Sequence, residues 1–522
     1  MLANKERLHP GMRCKISSEN GAAVTRDRQD TSPVLHALPL GTLVVCAQVE
    51  ADESGNARVR ISSPAGWMDA RDLEPAAELP AHGLDYETFR QRHTTVAAGD
   101  YYGLDFPFSI AMFDTFGAAF LTEAFRAAGT IAADNAVTEI VELKSLGKFG
   151  ASENAFLEVR YARSEPELSE KLFVKFPPPA EREEYKFGLS RMAHGEIAMH
   201  KFSREQPLPV PVARYYFGEY SSHTTNYILI TDRIPFGVDP IEPAHLKGWD
   251  HLIPALEDHY AVLARSLAAL AADHRTGALG YGVEALFPYA RSARDFATGA
   301  DVEERVDRLI DFVSRVAPQL FVDHVRDPQF LARWREDLLF GLANKDAVIA
   351  YLHSDPDYVG MCHPNLNPDN AWFWREADGK LHAGLLDWGG AGQMSFAQAL
   401  SGMLMMVDPE RHLAIKNMVL NAFIDEFAAR GAGALDFDEL HLQYKASLYS
   451  TALGMIVGMI IDLMPQFSEA DYATMENRFD QRLMDSGLYA AVVWIDDMLR
   501  EAGDTLSPGG ASRIILERIA ST

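Results

Sequence analysis

Near Pro240 the hydrophobic period of the chain changes, and that switch limits the folds open to it more than any other feature. Before it, apolar residues come in short runs such as "NAFLEVRYAR", "KLFVKF" and "TNYILITDR", with the length and composition of strands. After it, they recur at helical spacing over long stretches, as in "HLAIKNMVLNAFIDEFAARGAG" and "SGLYAAVVWIDDMLREAG". Strands gathered in one half and helices in the other define an α+β chain, not an alternating α/β one. Residues 135–238 read as three strands, the helix "EEYKFGLSRMAHGEIAMHKFSRE" and two further strands. Residues 239–522 read as helical, interrupted at 361–392 by a loop and the strand-like "KLHAGLLDWGG".

The strand-rich half begins with a piece of its own. From 10 to 76, "MRCKIS", "GTLVVCAQVEA" and "ARVRISS" are short strands; Val59 and Ile61 alternate with Arg58 and Arg60, and Gly55 with Asn56 supplies a turn. This predicts a small all-β, barrel-like domain. Its ending, Gly66 and Trp67 followed by Ala70 and Leu73, resembles bacterial SH3-like modules, and an antiparallel extension of the main domain is the other arrangement the pattern allows. Residues 77–134 form a linker, "EPAAELPAHG" at its start, and a helical lead-in around "FDTFGAAFLTEAFRAAG".

Charge narrows the partners. With 74 acidic against 48 basic residues the net charge is -26, which opposes binding to phosphate backbones and anionic membranes. Neither nucleic acid nor a membrane is an expected partner. Cys14, Cys46 and Cys362 are too few and too scattered for a disulfide framework, which fits a reducing cytoplasm. The N-terminus lacks the apolar core of a signal peptide. The apolar stretch "TALGMIVGMIIDLM" ends at Asp462 to Pro465, short of a membrane span, and is expected to be a buried helix.

Phosphoryl transfer from a nucleotide needs a cover for the phosphates, a cation to orient them, a divalent metal on hard oxygen ligands, and a group that positions the acceptor. Each has a candidate, in chain order. Gly147 and Gly150 in "SLGKFGASEN" would let backbone approach the phosphates. Lys175, near the end of the strand "KLFVKF", would be the cation, and Glu196 in the following helix its partner; Glu183, Glu184 and Glu205 compete for that place. Asn370, closing the loop "CHPNLNPDNAWFW", and Asp387, after the apolar run "AGLL", would hold the metal, with a hairpin turn at Asp378 and Gly379 between them.

These residues resemble the aminoglycoside phosphotransferase and choline kinase-like group of the protein-kinase-like fold, whose H-G-D-x-x-x-x-N loop precedes an apolar strand and an Asp-Trp or Asp-Phe pair. His363, Asn370, Asp387 and Trp388 match it, over a region of roughly 110–480. The resemblance implies a bilobal fold, with a small strand-rich N-lobe, a large helical C-lobe and the β domain ahead of both. It also implies ATP and Mg2+ as cofactors, His363 and the residue at 365 as the catalytic pair, and "ILITDRIPFG", with Asp232, as the hinge that takes the adenine. The departures are local. Pro364 stands where the family has Gly, Asn365 where it has the catalytic Asp, and Gln398 near the place of a later acid. An amide does not accept a proton near neutral pH, and a general base contributes about 10²- to 10⁴-fold. Asp369 lies outside the required spacing, while Asp355 and Asp357 are near enough in sequence to be a displaced base.

Three functions follow from that position. One is an ATP-dependent phosphotransferase acting on a small-molecule hydroxyl, with Asn365 orienting the acceptor. Another is a pseudokinase that binds nucleotide as a scaffold or regulator, with the N-terminal domain docking a protein partner. The third is nucleotidyl transfer on the same fold.

Overall fold

The computed structural model describes residues 8–29, 31–77, 83–147, 152–289 and 301–521. They form two compact units. One comprises segments 1–77, 243–383 and 392–522, the other segments 78–242 and 384–391.

The first unit opens with seven antiparallel strands: β1 Arg13–Ile16, β2 Ala22–Thr25, β3 Val34–Leu38, β4 Leu43–Ala51, β5 Ala57–Ile61, β6 Gly66–Asp69 and β7 Leu73–Pro75. Their order is β3-β2-β6-β5-β4-β1-β7. Period-two alternation puts Cys14, Ile16, Val24, Cys46, Val59, Ile61 and Met68 into a core of their own. Arg58 departs from the expected alternation: it is buried, and its guanidinium donates to Thr25 Oγ1 at 3.0 Å. All three cysteines are buried and unbridged.

The rest of this unit is mostly helical, including Leu256–Thr276, His412–Ala429, Phe437–Ser447 and Leu488–Gly503. The segment Phe437–Gln466 is long and apolar enough to cross a membrane, yet 69% of its most apolar window is buried within the protein. Four short strands interrupt the helices. These are β13 Val359–Cys362, β14 Ala371–Arg375, β15 Leu381–Leu385 and β16 Gly392–Ser395. β13 and β16 pair antiparallel, with Val359 opposite Ser395 and Cys362 opposite Gly392. β14 and β15 pair through the expected turn, where Gly379 takes φ +83° and the Lys380 amide donates to Asp378 Oδ1. β13 and β16 are four residues each and bury every side chain, so they show no alternation that sequence could reveal.

The second unit is a five-stranded antiparallel sheet of β8 Val137–Ser145, β9 Glu153–Tyr161, β10 Lys171–Phe176, β11 Tyr215–Tyr220 and β12 Tyr227–Asp232, in the order β11-β12-β10-β9-β8. On one face Leu157, Val159, Leu172, Val174, Ile228 and Ile230 share a core with Phe113, Leu121 and Phe125 of the lead-in. The lead-in is tied down further by buried Glu219, which accepts the Tyr101 and Tyr102 amides at 2.8 Å each. Gly99 must be Gly there, because a Cβ would meet the Glu219 side chain at 1.9 Å. The other face carries the helix Glu183–Glu205, with Ala193 and Ile197 packed on Tyr215 and Leu229. Acids in the helix's first turn and Arg204 in its last suit the helix dipole.

Candidate functional site

Strand alternation aims Lys175 away from the core of Leu172, Val174 and Phe176 and toward the helix Glu183–Glu205. There its Nζ donates to both oxygens of Glu196, at 2.8 and 2.6 Å, and to Asp387 Oδ1 at 2.6 Å. Burial works against the lysine's charge, and the Asp387 and Glu196 carboxylates more than offset it, so the ammonium is held well above its ordinary range. Glu196 is pushed up by burial, with Lys175 opposing and Asp387 reinforcing the push: two carboxylates share one cation. His200 is pushed down to about 3 by burial and by Lys175, so it adds no positive charge. Two of the competing acids are engaged elsewhere. Glu183 binds the Tyr86 hydroxyl and Arg90, and Glu205 binds Lys201.

Asp387 differs from its two partners. Its side chain is 47% exposed, against 9% and 5% for Lys175 and Glu196, and its φ is +56°, a conformation that costs a non-glycine residue roughly 1–2 kcal/mol. Local packing holds it there. Trp388 is fully buried, Gly390 takes φ +76°, and the Gly390 amide donates to Met192 O at 3.2 Å. Gly195 allows the helix to lie on this segment, since a Cβ would sit 3.0 Å from Ala391 O. A glycine inside an amphipathic helical pattern is the signal by which Gly195 could have been found. Ser152, Lys175, Glu196, Tyr227 and Asp387 line one small cavity. A larger cavity of about 810 Å³, bounded by Gly129, Glu167, Arg204 and Arg214, contains none of the assigned residues.

In the other unit, the chain leaves β13 at Cys362 and forms the loop that ends at Asn370. His363 is fully buried, and its Nδ1 accepts the Asn365 amide at 3.3 Å. Asn370 Nδ2 donates to Asn365 O at 2.7 Å, which commits the amide nitrogen inside the loop and leaves oxygen as the atom Asn370 can offer a metal. Asn367, which the sequence did not single out, ties the loop to the end of the helix Phe396–Met403: its Nδ2 donates to the carbonyls of Gly402, Met403 and Met405 at 3.2, 2.9 and 2.7 Å. Gly402 is required at that junction, as a Cβ would fall 1.9 Å from Pro364 O. Asp369 faces Lys247 at 3.3 Å. Of the two acids near enough to be a displaced base, Asp355 accepts the Asp357 amide, and Asp357 is taken up by Arg60 and Arg275.

Two glycines and an acid complete the assigned set. Gly147 takes φ +84° in the turn after β8, with its amide on Ser145 Oγ at 3.2 Å; Gly150 lies outside the described residues. Asp232 pairs with Leu172 of β10, whereas Lys175 pairs with Leu229. Its side chain therefore lies on the face opposite Lys175, and the carboxyl does not join the Lys175 cluster. Burial pushes that carboxyl up, against the Tyr216 hydroxyl and Arg214.

No family model matches the chain, and no curated protein matches it. Among solved structures, it is similar to a macrolide 2'-phosphotransferase type I at 14% identity, over 72% of this chain and 96% of that one, with a TM-score of 0.32. It is similar to the choline kinase LicA from Streptococcus pneumoniae at 12% identity, over 68% and 94%, TM-score 0.31. The GDP complex of aminoglycoside 2'-phosphotransferase-IIIa is similar at 14% identity, over 69% and 94%, TM-score 0.33. Likenesses of this size carry no inference about the chain's chemistry, which rests on its own residues.

Proposed function

We propose that this chain is a phosphotransferase of kinase-like fold that transfers a phosphoryl group from ATP to a hydroxyl of a small molecule. The observation that carries the reading is the Lys175, Glu196 and Asp387 cluster: a buried ammonium held charged by a buried carboxylate and by a second, half-exposed carboxylate on strained backbone. Glu196 fixes the lysine head, and Lys175 orients the nucleotide phosphates. Asp387 and the Asn370 amide oxygen are hard donors of the kind Mg2+ takes. Magnesium, when bound, neutralises charge on the phosphates. In this reading residues 135–238 and 239–522 are the two lobes of the fold and residues 10–76 an SH3-like module. Asn365, half-buried on a loop fastened by Asn367 and Asn370, hydrogen-bonds the acceptor hydroxyl and orients it without taking its proton.

Asn365 also favours a second reading, in which the site holds nucleotide without transfer. Two measurements decide. Mg·ATP should raise the melting temperature of the wild type, because it binds only the folded chain; no shift at millimolar ligand sinks both readings. Phosphate transfer to a panel of hydroxylated compounds should be measurable in wild type and rise in Asn365→Asp, by up to about 10²-fold. Activity confined to Asn365→Asp would favour the nucleotide-holding reading.

A further inference from the structure

The N-terminal sheet meets the helical segments of its own unit through two arginine and carboxylate bridges, one ending just ahead of β13 and the other on a carboxylate that β16 also holds. Arg60 of β5 holds Asp357 with two parallel bonds, Nη1 to Oδ2 at 2.8 Å and Nη2 to Oδ1 at 2.9 Å. Arg275, at the end of the helix Leu256–Thr276, donates to the same carboxylate and to Pro356 O at 3.0 Å. Asp357 lies two residues ahead of β13. Arg13 of β1 donates through Nε to Glu284 Oε1 at 2.6 Å, and Gln393 of β16 donates to Glu284 Oε2 at 2.6 Å. Gln393 stands opposite Met361 of β13. Val45 of β4 also packs with Tyr289 and with Val359, the first residue of β13.

We propose that the N-terminal sheet is a positioning domain, which through Arg60 on Asp357 and Arg13 on Glu284 fixes the ribbon from which the loop His363–Asn370 springs. This rests on the phosphotransferase reading. Apolar contact alone would hold the sheet in place, but it has no direction. A bidentate guanidinium and carboxylate pair sets angle and register as well as distance. One bridge ends two residues ahead of β13, which runs into the loop at His363, and the other ends on Glu284, which Gln393 of β16 also holds. Arg13, Arg60, Asp357 and Glu284 act through the ribbon and the segments beside it, so they are positioning residues.

The test uses the full chain, with Mg·ATP hydrolysis, read as phosphate release, as the probe. Arg60→Ala and Arg13→Ala should lower kcat on the order of tenfold to a hundredfold while leaving KM for ATP within about twofold, because the nucleotide residues belong to the other unit. Arg60→Lys should fail to restore the rate, since an ammonium cannot make the paired bonds. Hydrogen exchange should quicken in peptides covering 359–371 and 392–395 and stay unchanged across 171–176. Val24→Ala, a cavity in the sheet's own core, should lower the melting temperature and leave kcat as it was. The proposal is overturned if both arginine variants keep wild-type kcat and exchange, or if Val24→Ala loses kcat to the same degree. Wild type with neither phosphate release nor transfer to the hydroxylated compounds would sink the phosphotransferase reading, and the exchange arm would still decide whether the sheet fixes the ribbon.

Discussion

Each unit contains a knot of buried charge, and the two knots differ in how completely they are closed. In the helical unit, Glu501 accepts from His412 at 2.7 Å, from Lys416 at 3.4 Å, from the Tyr444 hydroxyl at 3.2 Å and from Lys445, while Asp504 takes both lysines at 2.9 and 2.8 Å. His412, Lys416, Lys445 and Glu501 are all at most 2% exposed, and they join the helices His412–Ala429, Phe437–Ser447 and Leu488–Gly503. In the sheet unit, Lys175 and Glu196 are closed in the same way, but the third member is not. Asp387 is half exposed, on strained backbone, and lines a cavity. Buried ion pairs alone do not mark a site, since they also serve to lock helices together. What separates the two is an acid left in reach of solvent beside a cation that has been paired in advance.

The contrast predicts opposite responses to losing one acid. Glu501→Gln leaves two buried ammonium groups and a buried imidazolium short of an anion, and should cost about 3–5 kcal/mol in a urea denaturation curve. A loss under about 1 kcal/mol would mean the helical knot is not structural, and the comparison would fail. Asp387→Asn should do the reverse. Asparagine tolerates positive φ and the position is half exposed, so stability should move by no more than about 1 kcal/mol. Phosphate transfer should fall by roughly 10²- to 10³-fold and the Mg·ATP melting shift should shrink. If the denaturation midpoint falls along with activity, Asp387 belongs with the structural knot.

A smaller effect separates the knots by pH. Burial works against the charge of His412, yet Asp497 and Glu501 push its pKa up to about 9. The folded chain therefore holds a proton that the unfolded chain releases near 6.5. The stability this contributes is full below about pH 6.5 and is lost as pH rises toward 9. Asp497, pushed up to about 7 by burial, acts with the same sign at lower pH. Melting temperature should fall between pH 6.5 and 9.5, and His412→Gln should flatten that slope. A slope unchanged in the variant would remove His412 from the account.

How far the sequence could be read depended on the range of the interaction. The helix Glu183–Glu205 and the strands around Lys175 were legible because 3.6- and two-residue periods are local. Pairing Lys175 with Glu196 needed only a strand, a helix and a separation of 21 positions. The face of Asp232 was not legible. It depends on which residue of β10 stands opposite, and a shift of one residue would have turned it toward Lys175. The strands β13 and β16 were missed for a different reason: every residue in them is buried, so they show no alternation.

The amino-acid sequence by itself determined the division into strand-rich and helical stretches, and it supplied the residues of the Lys175 cluster and of the loop His363–Asn370, because residue type and local period are written in the chain. Only the tertiary structure decided that Arg13 meets Glu284 across 271 positions and that Arg60 meets Asp357 across 297. The N-terminal sheet, which the pattern allowed to be a module of its own, shares a unit with the helices. Contacts of that range follow from how finished elements pack, and packing is settled by shape and charge over the whole fold, not by any period along the chain.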